Sequence, residues 1–209
     1  MTELLDIYDE NKNHIGTEDR NIVHEKGLWH KTIHCWIVKD KKNIIFQRRA
    51  SHLDDNPSKL YTTASGHLKA GETLDNAFRR EISEEIGIMV DNPKRLFEVI
   101  YKTDFITKSN KEFHDRVFCN IFFANYDAPL SSYNIQTDEL DGIVEVGINN
   151  ALDLFDGKVE KINGKSYLKE GKEFVLKDIE LSKKDFLTNP NETCKEKYSY
   201  ILKAILKKL

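Results

Sequence analysis

Apolar and polar positions change period several times along this chain, and each change marks an element. Over residues 30–40 both alternating faces are apolar, with Ile33, Cys35 and Ile37 on one and Trp36 and Val38 on the other. A strand covered on both sides reads this way, so this segment is expected at the centre of a sheet. Lys41-Lys42-Asn43 supplies a turn into a second strand over 44–48, followed by a polar loop over 50–59 containing Pro57. A short strand over 61–65 and a tight loop over 66–71 come next. Residues 73–86 then switch to the helical period, and Gly87 stands where a left-handed stop belongs. Further strands fit 95–104, 116–125 and 142–147, and a short helix fits 149–155. Residues 157–181 alternate Gly, Lys and Glu with scattered apolar positions and predict no definite element.

The two ends read as additions. Residues 3–9 with a pick-up at Ile15-Gly16 predict a hairpin or arm. Tyr198, Ile201, Leu202, Ile205, Leu206 and Leu209 follow i, i+3, i+4, i+7 spacing, which predicts a closing amphipathic helix packed on the same domain. With no internal repeat and no Pro/Gly-rich linker, the chain reads as one α/β domain over 1–209. Its core covers 28–150, its arm 1–27 and its C-terminal extension 151–209.

Composition narrows the function. Among 209 residues, 39% are apolar and 32% charged, and the net charge is −3 with both signs mixed. Nucleic-acid binding calls for a basic excess that is missing here, so no nucleic-acid partner is expected. Three widely spaced cysteines, Cys35, Cys119 and Cys194, form no Cys-x-x-Cys pair and suggest neither a thiolate metal site nor a disulfide framework. Residues 1–25 lack a signal-peptide core and no apolar run reaches membrane-spanning length, so a cytoplasmic home is expected. The arm and the closing helix each offer a surface for a homodimer.

One helix has acidic residues on the wrong side. On a wheel of about 100° per residue, Leu74, Ala77, Phe78, Ile82 and Ile86 define an apolar arc. Glu81 and Glu85 fall inside that arc and Glu84 lies at its edge, whereas an ordinary surface helix keeps carboxylates opposite. Three carboxylates so close repel one another and lose hydration if partly buried. A divalent cation removes both penalties, and Mg²⁺ or Mn²⁺ prefers such oxygen ligands and bridges them to phosphates. Gly66 and Gly71 before the helix let the backbone turn sharply and approach a ligand.

The segment GHLKAGETLDNAFRREISEEIGI resembles the Nudix box, G-x5-E-x7-R-E-U-x-E-E-x-G-U with U aliphatic. It matches at every fixed position: Gly66, Glu72, Arg80, Glu81, Ile82, Glu84, Glu85, Gly87 and Ile88. The resemblance implies an α/β/α sandwich around a mixed sheet and metal-dependent cleavage of a diphosphate bond in a small phosphorylated metabolite. It implies that Glu81, Glu84 and Glu85 hold the metals with help from the Gly66 carbonyl, and that Glu72 and Arg80 brace loop against helix. Glu81 and Glu139 are the two candidate bases, with Glu81 and Glu84 in the catalytic set; Gly71 and Gly87 are structural. Arg48 and Arg49 end a strand, where guanidinium forks can reach a substrate phosphate. His67 is expected beside the substrate.

Upstream, the run DIYDENKNHIGTEDRNIVHEKGLWHKTIHCWIV, then IIFQRRA and SGHL, looks like the branch related to isopentenyl-diphosphate isomerase, over the first 125 residues. Members of that kind use a histidine-rich metal site, and His24, His30 and His67 fall near its positions. They also use a cysteine before the Gly-His and a later Glu-x-Glu pair. Here those stretches read Thr62-Thr63-Ala64-Ser65 and Asp115-Arg116-Val117-Phe118-Cys119, so both groups that would move an allylic proton are missing. Hydrolysis of a nucleoside diphosphate linked to another moiety, or of a similar metabolite, is therefore the expected activity. The isomerase and a non-catalytic phosphometabolite-binding module are the alternatives.

Overall fold

The computed structural model describes residues 3–54, 56–106, 112–188, 193 and 195–209. An N-terminal hairpin of β1 (Leu4–Tyr8) and β2 (His14–Asp19) leads into α1 (Arg20–Lys26), a helix the sequence pattern did not announce. Asp19 caps it by accepting from the Asn21 amide, and Gly27 ends it at φ 62°. The main sheet follows with β3 (His30–Lys39), β4 (Asn43–Arg49), β5 (Leu60–Tyr61) and β6 (Ala64–His67). Then come α2 (Leu74–Ile86), β7 (Lys94–Ile106), β8 (Glu112–Asn125), β9 (Leu140–Gly147) and α3 (Ile148–Phe155). The chain ends with β10 (Lys161–Glu170), β11 (Glu173–Ser182) and α4 (Tyr200–Leu206).

The sheet runs β11-β10-β9-β4-β3-β8-β7, with β5 on β4 and β6 on β3. Among the described residues β3 and β8 are the one parallel pair of strands in this sheet, so the sheet is mixed. As its pattern predicts, β3 is central and buried from Ile33 to Val38. Its odd face, Ile33, Cys35 and Ile37, packs with Phe78, Ile82 and Ile86 of α2. Its even face, Trp36 and Val38, packs with α3 and with Ile201, Leu202 and Ile205 of α4. Helices on both faces give the α/β/α sandwich, each buried aliphatic or aromatic side chain contributing about 1.5–3 kcal/mol.

Three expectations change. The 61–65 strand is two short ones, and Gly66 lies within β6 rather than in a loop. The unplaced stretch is the β10–β11 hairpin, turned through Gly171 at φ 65°. The closing helix is entered through a π-helical turn, Lys195–Ser199, so that Tyr198 sits before α4 and not in it. Cys35 and Cys119 are free and buried, and Cys194 lies outside the described residues. Among the described residues no helix is long and apolar enough to cross a membrane.

Candidate active site

The site begins where two neighbouring strands part. β3 pairs β4 only over Ile37–Lys39, and from Thr32 to Cys35 it pairs β6 instead. β4 meanwhile takes β5 at Gln47 and Arg48. β5 and β6 occupy the fork, and a cleft of about 1010 Å³ opens there, lined by Tyr61, Ser65, Gly66 and His67 from these strands.

Below the fork lies α2, capped by Thr73 and ended by Gly87 at φ 63°. A side chain at position 87 would strike the Asn134 backbone, so glycine is required there twice over. Glu81, Glu84 and Glu85 all line the cleft. Glu81 is 7% and Glu85 6% exposed, whereas the Glu84 side chain is 52% exposed, as their places on the wheel dictate. Burial pushes the Glu81 carboxyl up to about 7, against the opposing pull of Arg80. Burial, with the Glu81 charge added, pushes Glu85 well above the carboxylate range. Glu85 accepts from the Ser65 amide at 3.2 Å through Oε1, while its Oε2 is buried with no hydrogen-bond partner among the described residues. A buried, unsatisfied oxygen between other carboxylates is the environment a cation relieves. The acidic residues therefore fit a divalent ion on chemical grounds.

Arg80 knits loop to helix. It donates to Glu72 at 2.9 and 2.8 Å, to Glu81 at 2.7 Å, to Glu84 at 3.2 Å and to the His67 carbonyl at 2.9 Å. Glu72 also receives the Lys69 amide at 3.0 Å, which closes the loop containing Gly71 at φ 72°. Gly71 in turn donates its amide to Asp6 of β1 at 2.9 Å, tying the arm to the loop.

The arginines separate. Arg49 lines the cleft with Gln47. Arg48 does not, because successive strand residues face opposite sides; its Nε is buried on the other face. Of the two arginines expected at the substrate, only Arg49 is among the residues lining this cleft. Glu139 is exposed at the cleft rim, its carbonyl accepting from the Ala50 amide at 2.8 Å.

A second cluster stands across the cleft. His24, His30 and His67 each offer a ring nitrogen within 4.8 Å of the others. His24 Nδ1 bonds the Arg20 carbonyl at 2.8 Å and His30 Nδ1 the Leu28 carbonyl at 3.0 Å, which turns each Nε2 toward the cluster; His24 Nε2 meets His67 Nε2 at 3.2 Å, and His30 Nε2 is buried with no hydrogen-bond partner among the described residues. Asp115 Oδ1 approaches His30 Nε2 at 3.5 Å and His24 Nε2 at 3.7 Å. Burial lowers the His24 and His67 rings, His67 well below the ordinary imidazole range, and lowers His30 to about 4, while it raises Asp115 to about 6. The sequence marked these three histidines but not their carboxylate: the register His30↔Val117 sets Asp115 beside them, and only strand pairing reveals it. His34 and His114 lie outside this cluster; Trp36 and Phe46 are core.

Fold and site together define a phosphoanhydride hydrolase acting on a small metabolite. The chain belongs to the Nudix family: the family described as "NUDIX domain" matches residues 28–163. An uncharacterized Nudix hydrolase of Clostridium acetobutylicum is 36% identical over 98% of this chain and 97% of its own length. The chain is also similar to an isopentenyl-diphosphate Delta-isomerase 2 of Photorhabdus laumondii, 29% identical over 80% of this chain and 94% of its own. A crystal structure of a Deinococcus radiodurans protein, 17% identical, covers 74% of this chain and 90% of its own with a TM-score of 0.55, a likeness of fold.

Proposed function

We propose that the chain hydrolyses the diphosphate bond of a conjugated metabolite, such as a nucleoside diphosphate linked to another moiety, with Mg²⁺ or Mn²⁺ held by Glu81, Glu84, Glu85 and the Gly66 carbonyl. The single observation that carries this is Glu85, buried with one oxygen unpartnered between Glu81 and the β6 backbone. When bound, such an ion neutralises the diphosphate and makes water a better nucleophile at neutral pH. The chain's own residues do the rest. Arg49 binds a phosphate oxygen from the β4 side. Glu72 holds Arg80, and Arg80 holds the glutamates in register. Glu139 takes the proton of the attacking water: it stands exposed at the rim, whereas Glu81 is buried and assigned to the ion. The two termini flank this domain as parts of one unit, since Asp6 ties to Gly71 and Tyr198 packs in the core behind β3.

His24, His30 and His67 with Asp115 form a further donor set whose imidazoles suit a transition metal such as zinc. That cluster, and the isomerase relative, favour isoprenoid isomerisation as the second reading. Against it, no cysteine lines the cleft among the described residues, and Cys35 and Cys119 are sealed in the core. Cleavage of the diphosphate bond, read as the two phosphomonoesters from linked nucleoside diphosphates or as phosphate from isopentenyl diphosphate, and allylic isotope exchange, measured side by side, decide the matter. Mg²⁺-dependent diphosphate cleavage without allylic exchange supports hydrolysis; exchange without cleavage overturns it.

A further inference from the structure

Glu139 stands just before β9, where the ladder between β4 and β9 is irregular. Arg48 is opposite Gly142, yet Arg49 is opposite Leu140, so Asp141 is the extra residue of a β-bulge. The bulge changes what faces the cleft. Ile143 packs on the α2 side of the sheet and Val144 on the other. Strict alternation would therefore turn Asp141 to the α2 side and Leu140 away from it. Instead Leu140 is buried among the residues packed on α2, and it lines the cleft. Asp141 is displaced, and its Oδ2 accepts the Ser51 amide at 2.9 Å.

This is one of three bonds from successive residues of the loop after β4. The Ala50 amide donates to the Glu139 carbonyl at 2.8 Å, the Ser51 amide to Asp141, and His52 Nε2 to the Asp138 carbonyl at 3.1 Å. Ala50 is fully buried, which anchors the start of this strap. On the other side the Gln136 amide donates to the Glu85 carbonyl at 2.9 Å, and the Leu140 amide to the Gln136 carbonyl at 3.1 Å. Residues 136–141 thus bridge α2 to the strap, and Glu139 is the acid of that bridge that lines the cleft. Its charge acts on Glu85, so the two stand within electrostatic reach. The strap itself lines the same cleft with Leu53 and Asn56.

A general base must keep its oxygen within hydrogen-bond reach of one proton, and a small misplacement slows the reaction steeply. The Glu139 side chain is exposed, so its aim is set by the backbone that carries it rather than by packing. We infer that Asp141 is a positioning residue for Glu139. By accepting the Ser51 amide it fixes the bulge, and the bulge fixes where the base stands relative to Glu85. This rests on the hydrolase reading with Glu139 as base, and deepens it by naming the group that aims that base. Among the described residues that line the cleft Asp141 is absent, so it acts through Glu139.

The test compares the full chain with Asp141→Leu, Asp141→Asn and Glu139→Gln, and with Asp141→Leu combined with Glu139→Gln. Asp141→Asn keeps an acceptor for the Ser51 amide, and Asp141→Leu removes it at similar breadth. Amide hydrogen exchange reads the bridge itself. Asp141→Leu should raise exchange across residues 136–141 about tenfold, with Asp141→Asn close to the parent and α2 unmoved in both. Mg²⁺-dependent cleavage of ADP-ribose and of UDP-glucose gives the rates. On a cleaved probe, Asp141→Leu should lower kcat about tenfold or more with KM within about twofold, and Asp141→Asn should keep most of the rate. In the Glu139→Gln background the same change should cost less than about twofold, because the two residues act as one unit.

Equal losses in both backgrounds, or unchanged exchange across 136–141 in Asp141→Leu, overturn the inference. Exchange rising in α2 together with the bridge would make Asp141 a general stabiliser and overturns it too. A parent chain that cleaves neither probe would instead count against the hydrolase reading, and the exchange measurement would still decide whether Asp141 holds the bridge.

Discussion

The Cα of Gly66 lies against the carboxylate of Glu81 so closely that a β-carbon built on the glycine would overlap the acid's oxygens. The absent side chain at 66 is what lets the helix present Glu81 to the strand carbonyl beside it. Gly66 is in a strand and has no left-handed backbone to justify glycine, so contact alone explains it. Gly66→Ala should displace Glu81 and weaken Mn²⁺ binding by ~10-fold or more, the scale seen when groups that orient ligands are disturbed. Calorimetric titration with Mn²⁺ measures this; unchanged affinity would detach Gly66 from the metal site.

Arg80 and Glu72 form a two-pronged pair in which both side chains are largely enclosed, 17% and 13% exposed. Burial is the largest single influence and opposes ionisation of Glu72, but the Arg80 hydrogen bond, the Lys69 amide and the charges of Arg80 and Lys69 together outweigh it and hold the carboxyl below its usual range. Glu72→Gln should therefore cost about 2 kcal/mol of stability, the worth of hydrogen bonds to a charged group. Denaturant unfolding reads the loss directly. A variant as stable as the parent would show that the pair is an ornament of the loop.

Much of the fold is legible in the pattern because burial is two-sided. The double apolar face of residues 33–38 could only be a central strand, and the helical stripe of Phe78, Ile82 and Ile86 could only face it. Glu81 and Glu85 stood out because they violated that stripe. The β10–β11 hairpin was hidden because it rims the sheet: β11 is an edge strand, and Lys and Glu dress its open face, which blurs the alternation. α1 was hidden by its seven residues, too few for a period, although Asp19 and Gly27 are legible caps in hindsight. Asp115 and Lys197 enter the cleft through pairing and chain return, and local spacing carries neither.

Stability without metal should depend on pH in two opposed ways. Buried His24, His30, His34 and His67 have lowered pKa values, about 4 for His30 and about 3 for His34, against 6.5 in the unfolded chain. Their contribution is complete above pH 6.5 and drains as the pH falls toward those folded values, because the unfolded chain takes up protons first. Glu81 and Glu85 have raised values, about 7 for Glu81 against 4.5 unfolded. Their contribution is complete below pH 4.5 and is lost as the pH rises through 7. Metal-free protein should thus be most stable near pH 6.5, and saturating Mg²⁺ should abolish the decline above it. Thermal melts from pH 5 to 8, with and without Mg²⁺, test both arms; a metal-free melting point still climbing at pH 8 would contradict the carboxylate arm.

Glu139→Gln keeps the shape of the rim and removes a base. Its kcat should fall ~100-fold while the Mg²⁺ concentration for half-activity stays put, since general-base catalysis typically contributes 10²–10⁴-fold. Equal losses in both quantities would instead make Glu139 a metal ligand.

The central claim is that an ion lies among Glu81, Glu84 and Glu85. Crystals soaked in Mn²⁺ and measured at the manganese absorption edge give the most direct reading of it. An anomalous peak bonded to Glu85 Oε2 is expected, with Glu81 drawn off Arg80 toward it, and the peak should be lost in Glu85→Gln. A featureless map between these side chains, with Glu81 still on Arg80, would contradict it.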